Sequence, residues 1–381
     1  MVTTIAYINP DILSWARERA QLSPSALATK LKIAEDKLYL WESGEKTLTF
    51  RQAQTFANKT FIPFGYLFLK ERPEDKLPLP DLRTVGGENP NTYSTELIDI
   101  IKIMMNRQIW FQEYLLEQGI DNNPLVGRFN VSNSVEEIVQ DIREVLSVEK
   151  HPTRGNWEDY YRELVKKIEG SGIMVVRESF VHHYTRPLKV SEFRGFAIAD
   201  KSAPLIFINH ADVETARLFT LIHELSHIWL GASGISDGSA RNERKEEILC
   251  NAVAAEFLVP SDEFQTKWRD DWENWRENLA PCEAHFHVSS WVIARRALTL
   301  KKIGHQEYQK YIKEQEDTYA KRQKSNGAPS YYKTKKAHIS NQFAEAVVSE
   351  ALSQRLLLRD AGLLLDLKPN RIESFAGELG I

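Results

Sequence analysis

Residues 218–230 have the sequence LFTLIHELSHIWL, in which apolar residues recur with the period of an α-helix. Within this stretch His223 and His227 stand four residues apart, and Glu224 directly follows the first histidine. Residues four apart share one face of a helix, so the two imidazoles converge on one point. The pattern H-E-x-x-H therefore predicts a helix that binds a metal ion, with a glutamate at the edge of the ligand face.

Zinc is the ion that this pattern favours, because two imidazoles one turn apart both reach it at the usual Zn–N distance of about 2.0–2.1 Å. Glu224 is then placed to take a proton from a metal-bound water without ligating the ion itself. Chance is a weak explanation of the pattern. With 10 histidines and 53 acidic residues in 381, a His-acid-x-x-His match is expected about 0.04 times per chain.

A catalytic zinc site needs a third protein ligand beside its water, and a second helix pattern supplies candidates between Glu246 and Pro260. Glu247 and Asn251 lie four residues apart there, which suits a ligand and a side chain that orients a histidine through its other ring nitrogen. Glu247 is the predicted ligand. By spacing and donor type, the alternatives are Glu246, Cys250 and Glu256. The reaction also needs a hydrogen-bond donor for the developing oxyanion. By chemical type, the candidate donors are His182, His183, Tyr184 and His210.

The composition narrows the class of protein. A chain of 381 residues accommodates two or three domains. Its two cysteines, Cys250 and Cys282, form no C-x-x-C pair, which predicts a reducing cytoplasm. The opening residues MVTTIAYINP lack a basic region followed by an apolar stretch, and no run of about 18 apolar residues occurs, so we expect neither secretion nor membrane spanning. The net charge of −4 does not decide whether nucleic acid is bound.

The chain is predicted to be α+β and mostly helical. Three short β-prone runs precede the H-E-x-x-H helix and predict a small sheet beside it: Ile173–Val176, Arg194–Ile198 and Leu205–Ile208. After residue 210 the pattern predicts helices to the end, with a lysine-rich connection at 313–336. The predicted domains are a helical bundle at 1–72, a linker at 73–92, a helical connecting region at 93–170, a metal-site domain at 171–312 and a helical extension at 313–381.

The amino-terminal bundle contains a helix-turn-helix pattern. Ser23 caps one short helix with Pro24 at its first position, and a tight turn leads to a second helix at Glu35–Trp41. The residues predicted to contact DNA or a protein partner are Lys37, Tyr39 and Arg51. Glu35 and Asp36 open the second helix, where they would face DNA, and this lowers the expectation that the bundle reads DNA.

A family resemblance follows from the two helix motifs. His223–His227, followed by Glu247-x-x-x-Asn251-x-x and the run AAEFLVP at 254–260, resembles the ImmA/IrrE-type metallopeptidases. The run Arg194–Phe196 and the run Leu205–Asn209 are similar to the family's two strands before its active helix, and the amino-terminal segment resembles an Xre-type helix-turn-helix domain. Departures are Cys250 and Val253, which stand where the family usually has alanine and an aromatic residue.

The resemblance implies a gluzincin-like cytoplasmic protease with one zinc ion, and it supports Glu247 as the third ligand. It further implies that the substrate is a regulatory protein, a repressor or an antitoxin-like partner, in bacteria or their mobile elements. A second hypothesis makes the chain a DNA-binding transcriptional regulator or antitoxin-like binding protein in which the peptidase fold is a scaffold. We expect a protein substrate and no membrane, with DNA binding and a homodimer as open alternatives.

Overall fold

The computed structural model describes residues 5–74, 79, 93–150, 157–236, 244–270, 274–322 and 338–381. The described residues fall into two compact units. The first is drawn from residues 1–78 and 90–101, and the second from residues 79–89 and 102–381. Residues 93–101, predicted as part of a separate connecting region, therefore group with the first unit. The predicted linker at 73–92 lies almost wholly outside the described residues.

The first unit is a bundle of short helices with a two-stranded ribbon. Its elements are strand β1 (Ile5–Ala6), helices α1 (Pro10–Arg19), α2 (Pro24–Leu31) and α3 (Glu35–Glu42), strand β2 (Leu48–Thr49), helix α4 (Phe50–Thr60) and a 3-10 helix (Phe64–Phe68). The side chain of Ser23 caps α2 by accepting from the backbone N–H of Ala26. Lys32, in the left-handed conformation with φ of 57°, ends α2. The predicted pair of short helices joined by a tight turn is thus present.

The second unit is built around a small mixed sheet. Helix α5 (Thr95–Glu117) belongs to this unit from residue 102 onward, and helices α6 (Val135–Leu146) and α7 (Trp157–Gly170) follow it. The strands of the sheet are β3 (Met174–Glu178), β4 (Gly195–Ile198), β5 (Leu205–Asn209) and β6 (Gly234–Ser236). Within the described residues the strand order is β3-β5-β4-β6. Strand β3 runs parallel to β5, whereas β4 is antiparallel to both β5 and β6.

One helix packs on the sheet, and a second helix packs on the first. Helix α8 (Glu214–Leu230) packs on β4 and β5, and helix α9 (Lys245–Leu258) packs on α8 and α6. Their apolar residues meet in one core, which includes Ile206, Leu221, Leu225, Ala254 and Phe257. The His223–His227 segment therefore lies in the middle of α8, held between a sheet and a second helix, where side chains are fixed by packing.

Helices complete the second unit. They are α10 (Ser261–Lys267), a 3-10 helix (Trp275–Asn278), α11 (Leu279–Phe286), α12 (Ser290–Thr299), α13 (His305–Arg322), α14 (Asn341–Leu352), α15 (Leu358–Leu365), a 3-10 helix (Pro369–Arg371) and α16 (Ile372–Leu379). The last three α-helices pack on one another through buried residues such as Phe343, Val347 and Phe375. No helix in the described ranges combines the length and the apolar composition that a membrane crossing requires.

The structure confirms a mostly helical α+β fold with a small sheet, and it corrects two local predictions. The chain is not purely helical after residue 210, because β6 follows α8. This strand has only three residues, Gly-Ile-Ser, too few to give a recognisable alternation. Helix α13 continues to Arg322, past the predicted start of the connection at 313, and the rest of that connection lies outside the described residues.

Candidate metal centre

Three donor atoms from α8 and α9 converge on one point. The Nε2 atoms of His223 and His227 are 3.2 Å apart. The Glu247 carboxylate lies across from them, with Oε2 3.3 Å from His223 Nε2 and Oε1 3.0 Å from His227 Nε2. These are the only three His, Cys, Asp or Glu residues that group in this way among the residues described.

The spacing of these atoms fits a tetrahedral ion. Ligands bonded to zinc at about 2.0–2.1 Å in tetrahedral geometry lie about 3.3 Å from one another. The three measured separations, 3.2, 3.3 and 3.0 Å, match that edge length. Two imidazoles and one carboxylate are also a donor set that zinc accepts. His223, His227 and Glu247, called the ligand triad below, could therefore hold a zinc ion.

The ligand triad is almost completely buried, and burial and hydrogen bonding set its charge state. The three residues are at most 1% exposed, and the Nδ1 atoms of both histidines have no hydrogen-bond partner among the described residues. Burial lowers the pKa of His223, although Glu247 opposes this shift. Burial alone would raise the pKa of Glu247, but hydrogen bonds from the two imidazoles outweigh it and hold the pKa at about 2. The carboxylate is therefore ionised and available as a ligand.

Glu224 lies beside the ligand triad, fully buried, on the same helix. Burial raises its pKa well above the usual range, the negative charge of Glu247 adds to the effect, and the nearby Ser236 hydroxyl opposes it. Neither carboxylate oxygen forms a hydrogen bond within the described part of the chain. A carboxylate with a raised pKa that no protein donor satisfies is suited to accepting a proton from a bound reactant.

A glycine in β4 makes room for Glu224. A Cβ atom added at Gly195 would lie 2.9 Å from Glu224 Oε1, from the Phe207 carbonyl oxygen and from Thr220 Cγ2. Real Cβ atoms do not approach other heavy atoms so closely, so at this position a side chain would displace the carboxylate or the neighbouring strand. Strand β4 therefore lies so close to Glu224 on α8 that position 195 requires glycine.

Ser236, the last residue of β6, belongs to the same cluster, although no sequence motif predicted it. Its Oγ lies 3.2 Å from His223 Nε2 and 3.5 Å from His227 Nε2, and the residue is 1% exposed. A lone serine in a three-residue strand carries no motif. Only the pairing of β6 with β4 brings it to the metal centre.

Asn251 does not orient a histidine through its other ring nitrogen, because neither the Nδ1 atom of His223 nor that of His227 has a hydrogen-bond partner in the described residues. Its side-chain oxygen accepts a hydrogen bond of 3.1 Å from Arg295 Nη2 on α12. The Arg295 guanidinium also lies over the Phe219 ring, 4.6 Å from its centroid. The amide thus fixes an arginine near the metal centre, because α12 brings a strong donor to it that sequence spacing on α9 cannot reveal.

The alternative ligands lie elsewhere on α9. Glu256 accepts hydrogen bonds from Ser261 and pairs with Arg296, while Glu246 is partly exposed. Cys250 is buried, and burial raises the pKa of its thiol well above the usual range. Its thiol is not among the donor atoms that converge with those of His223 and His227 in the described residues.

The four side chains predicted as oxyanion donors have described contacts away from the ligand triad. His182 bonds to Asp366, His183 to Thr185, and His210 to Arg217. Tyr184 is 73% exposed. The residues predicted to contact DNA or a partner, Lys37, Tyr39 and Arg51, are all exposed in the first unit.

Comparison with known families agrees with this geometry. Residues 168–298 match the family model Peptidase_M78, described as an IrrE N-terminal-like domain. The matched segment contains all four strands of the sheet, helices α8 and α9, Glu224, Ser236 and the ligand triad. The match supports a metallopeptidase-like domain over about a third of the chain.

A second match covers the carboxyl-terminal helices. Residues 339–378 correspond to the family model DUF8813, described as a domain of unknown function. No curated protein matches the chain.

Proposed function

We propose that this chain is a zinc-dependent metalloendopeptidase in which the ligand triad holds one ion and Glu224 is the general base. One observation carries the proposal. Three buried donor atoms stand at the edge lengths of a zinc tetrahedron, and a buried carboxylate without a hydrogen-bond partner in the described residues lies next to them. The similarity of residues 168–298 to a peptidase family supports the same assignment.

The zinc ion and Glu224 have separate roles in the proposed reaction. When bound, zinc lowers the pKa of its water toward 7 and polarises the scissile carbonyl. Glu224 Oε1 or Oε2 takes the proton released by the attacking water and then delivers it to the leaving amine nitrogen. Its raised pKa suits both steps, because the carboxylate is basic enough to accept the proton and the acid is strong enough to return it.

We further propose that the substrate is a regulatory protein of the repressor or antitoxin-like class, cleaved in the cytoplasm. The ligand triad and Glu224 are each at most 1% exposed, so an arbitrary peptide does not reach them in this conformation. A partner that binds the rest of the chain specifically can supply the binding energy for opening the site. The resemblance to ImmA/IrrE-type peptidases supports the same substrate class.

The proposal is tested with Glu224→Gln. We expect this variant to bind one zinc ion per chain with nearly the parent's affinity, since Glu224 is not a ligand. New protein amino termini produced in cells that express the parent should fall about 10²–10⁴-fold in abundance with the variant. Glu246→Gln is the matched control, because it makes the same change at a partly exposed residue of α9. Equal cleavage by the parent and Glu224→Gln would exclude the proposed base.

A second candidate function is DNA binding by the first unit, acting with or instead of cleavage. Lys37, Tyr39 and Arg51 are exposed there, although Glu35 and Asp36 are exposed as well. Combined charge reversal at Lys37 and Arg51 should weaken retention of the chain on mixed duplex DNA and reduce the salt dependence of retention. If regulation survives His223→Ala but is lost on this charge reversal, the regulator role is primary and the protease role fails.

A further inference from the structure

Ser236 is held at the metal centre by the register of the sheet. Strand β6 pairs with β4 so that Ser236 lies opposite Gly195, and the Ser236 carbonyl oxygen accepts a hydrogen bond of 3.1 Å from the backbone N–H of Arg194. Residues directly opposite in an antiparallel pair direct their side chains to the same face. A side chain at Gly195 would meet Glu224, so the Ser236 hydroxyl points toward the same helix.

The distances from the Ser236 hydroxyl to the two histidines are similar to the distances within the ligand triad. Its Oγ is 3.2 Å from His223 Nε2 and 3.5 Å from His227 Nε2. These values are close to the separation of about 3.3 Å between neighbouring ligands of tetrahedral zinc. We propose that Ser236 is a fourth protein group of the metal centre, with its hydroxyl in the coordination position next to Glu224. This inference rests on metal binding by the ligand triad and not on peptide cleavage.

A serine at this position suits a site that must open. The usual zinc ligands are thiolate, imidazole and carboxylate, so a neutral hydroxyl is a weak donor. A substrate carbonyl or a water can displace it without loss of the other three ligands. Ser236 thus closes the resting centre, and displacement of its hydroxyl is the step that exposes the position where chemistry occurs.

The alternative is a purely structural serine whose hydroxyl bonds to an imidazole and never lies next to the ion. The two roles differ in what a longer-reaching, softer donor would do. A thiolate at the fourth position would bond directly to the ion and complete a closed site of two histidines, one glutamate and one cysteine. A thiolate at a structural position would remain out of reach.

Ser236→Cys with cobalt(II) as the probe separates the two roles. We expect the purified variant, loaded with one equivalent of cobalt(II), to gain a near-ultraviolet thiolate-to-cobalt charge-transfer band relative to the parent, which retains Cys250 and Cys282. Ser226→Cys is the matched control. Ser226 is equally buried on α8, but its hydroxyl donates to the Ile222 carbonyl oxygen at 2.7 Å. A cobalt-loaded Ser236→Cys protein without the new band would overturn the proposal.

Ser236→Ala provides a measurement that survives if the cysteine variant does not fold. Removing one oxygen atom should weaken zinc binding about tenfold, measured by competition with a chromophoric chelator, and should change the visible spectrum of the cobalt form. Ser226→Ala should do neither. If Ser236→Ala has the parent's zinc affinity and cobalt spectrum, Ser236 is structural. No peptidase assay enters either experiment, so the proposed reaction can fail while this assignment stands.

Discussion

Two groups of buried polar side chains lie along helix α8, and they differ in how they are satisfied. The turn that enters the helix, residues 209–213, buries Asn209 and Asp212. Asn209 donates to the Phe193 carbonyl oxygen and accepts from the backbone N–H of Ala211. Asp212 accepts from Arg194 at 2.7 Å and from the backbone N–H of Val213 at 2.7 Å. Every carboxylate and amide oxygen of these two residues has a protein donor.

The metal centre, about three turns further along α8, is the opposite case. Its donor atoms lie about 3 Å from one another, close to the separation of two ligands bound to the same zinc ion. Both carboxylate oxygens of Glu224 are without a hydrogen bond in the described residues. An unsatisfied buried polar group costs about 1–3 kcal/mol. The satisfied groups of the entering turn stabilise the fold, whereas the buried Glu224 carboxylate, which has no hydrogen-bond partner in the described residues, is available to a non-protein partner.

The largest expected effect is the response of stability to zinc. If zinc binds the folded chain through the ligand triad and does not bind the unfolded chain, free zinc at about 1,000 times Kd should raise the free energy of unfolding by about 4 kcal/mol. Differential scanning calorimetry with zinc and with a chelator measures the shift in Tm. His223→Ala should abolish this shift. A zinc-dependent shift of full size in His223→Ala would mean that the ion binds somewhere else.

Asp212→Ala should lower the stability of the fold without changing zinc binding, because Asp212 lies in the entering turn and not in the metal centre. It leaves Arg194 without its partner in a part-buried position, and breaking such a pair costs about 3 kcal/mol, the low end of the usual range because Arg194 keeps some contact with water. Urea denaturation measures the loss. The shift in Tm on adding zinc should stay as large as in the parent. If zinc affinity fell together with stability, the entering turn would be part of the site rather than its support.

Gly195→Ala tests the link between sheet and helix. The new methyl would stand 2.9 Å from three atoms, including Glu224 Oε1, so we expect a loss of stability of about 1–3 kcal/mol from overpacking. Gly170→Ala is the control, since nothing lies within 4 Å of a Cβ there. The control should be neutral or stabilising by about 0.5–1 kcal/mol. Equal stability of the two variants would show that β4 can move away from Glu224 at no cost.

What the sequence predicts well is local. The period of 3.6 residues placed His223, Glu224 and His227 on one helix, and Ser23 marked a helix start through its capping geometry. Converging helices also bring Glu247 to the two imidazoles, because α8 and α9 are neighbours in the chain and pack together. These features depend on residues a few positions apart or on adjacent elements, so their pattern is visible in one sequence.

What the sequence misses depends on contacts between distant segments. Ser236 reaches the metal centre only through the register of β6 against β4, about 40 residues earlier in the chain. Asn251 turns to Arg295, 44 residues away, rather than to a histidine one helix earlier. Neither of these two contacts can be predicted from the spacing of residues on α9 or from the three residues of β6. Tertiary packing decides both.

The smallest expected effect concerns pH and the entering turn. Burial, with further contributions from Arg217, His338 and Arg177, lowers the pKa of His210 to about 2. The Arg217 guanidinium lies 2.9 Å from His210 Nε2, and the centroid of the His338 ring lies 4.4 Å from the centroid of the His210 ring. His210 therefore stays neutral in the folded chain, while in the unfolded chain it takes up a proton below its ordinary pKa of 6.5.

Below pH 6.5 the unfolded state thus binds more protons than the folded state, so stability falls as the pH falls, down to the folded-state pKa of about 2. Between pH 7.5 and 5 this one residue should reduce the free energy of unfolding by about 1–2 kcal/mol. His210→Gln keeps an acceptor for Arg217 but cannot take up the proton. Urea denaturation at the two pH values should show a smaller loss in the variant by that amount, with zinc binding at pH 7.5 unchanged. An identical loss in parent and variant would mean that Arg217 and His338 move apart on acidification and let His210 titrate in the folded chain.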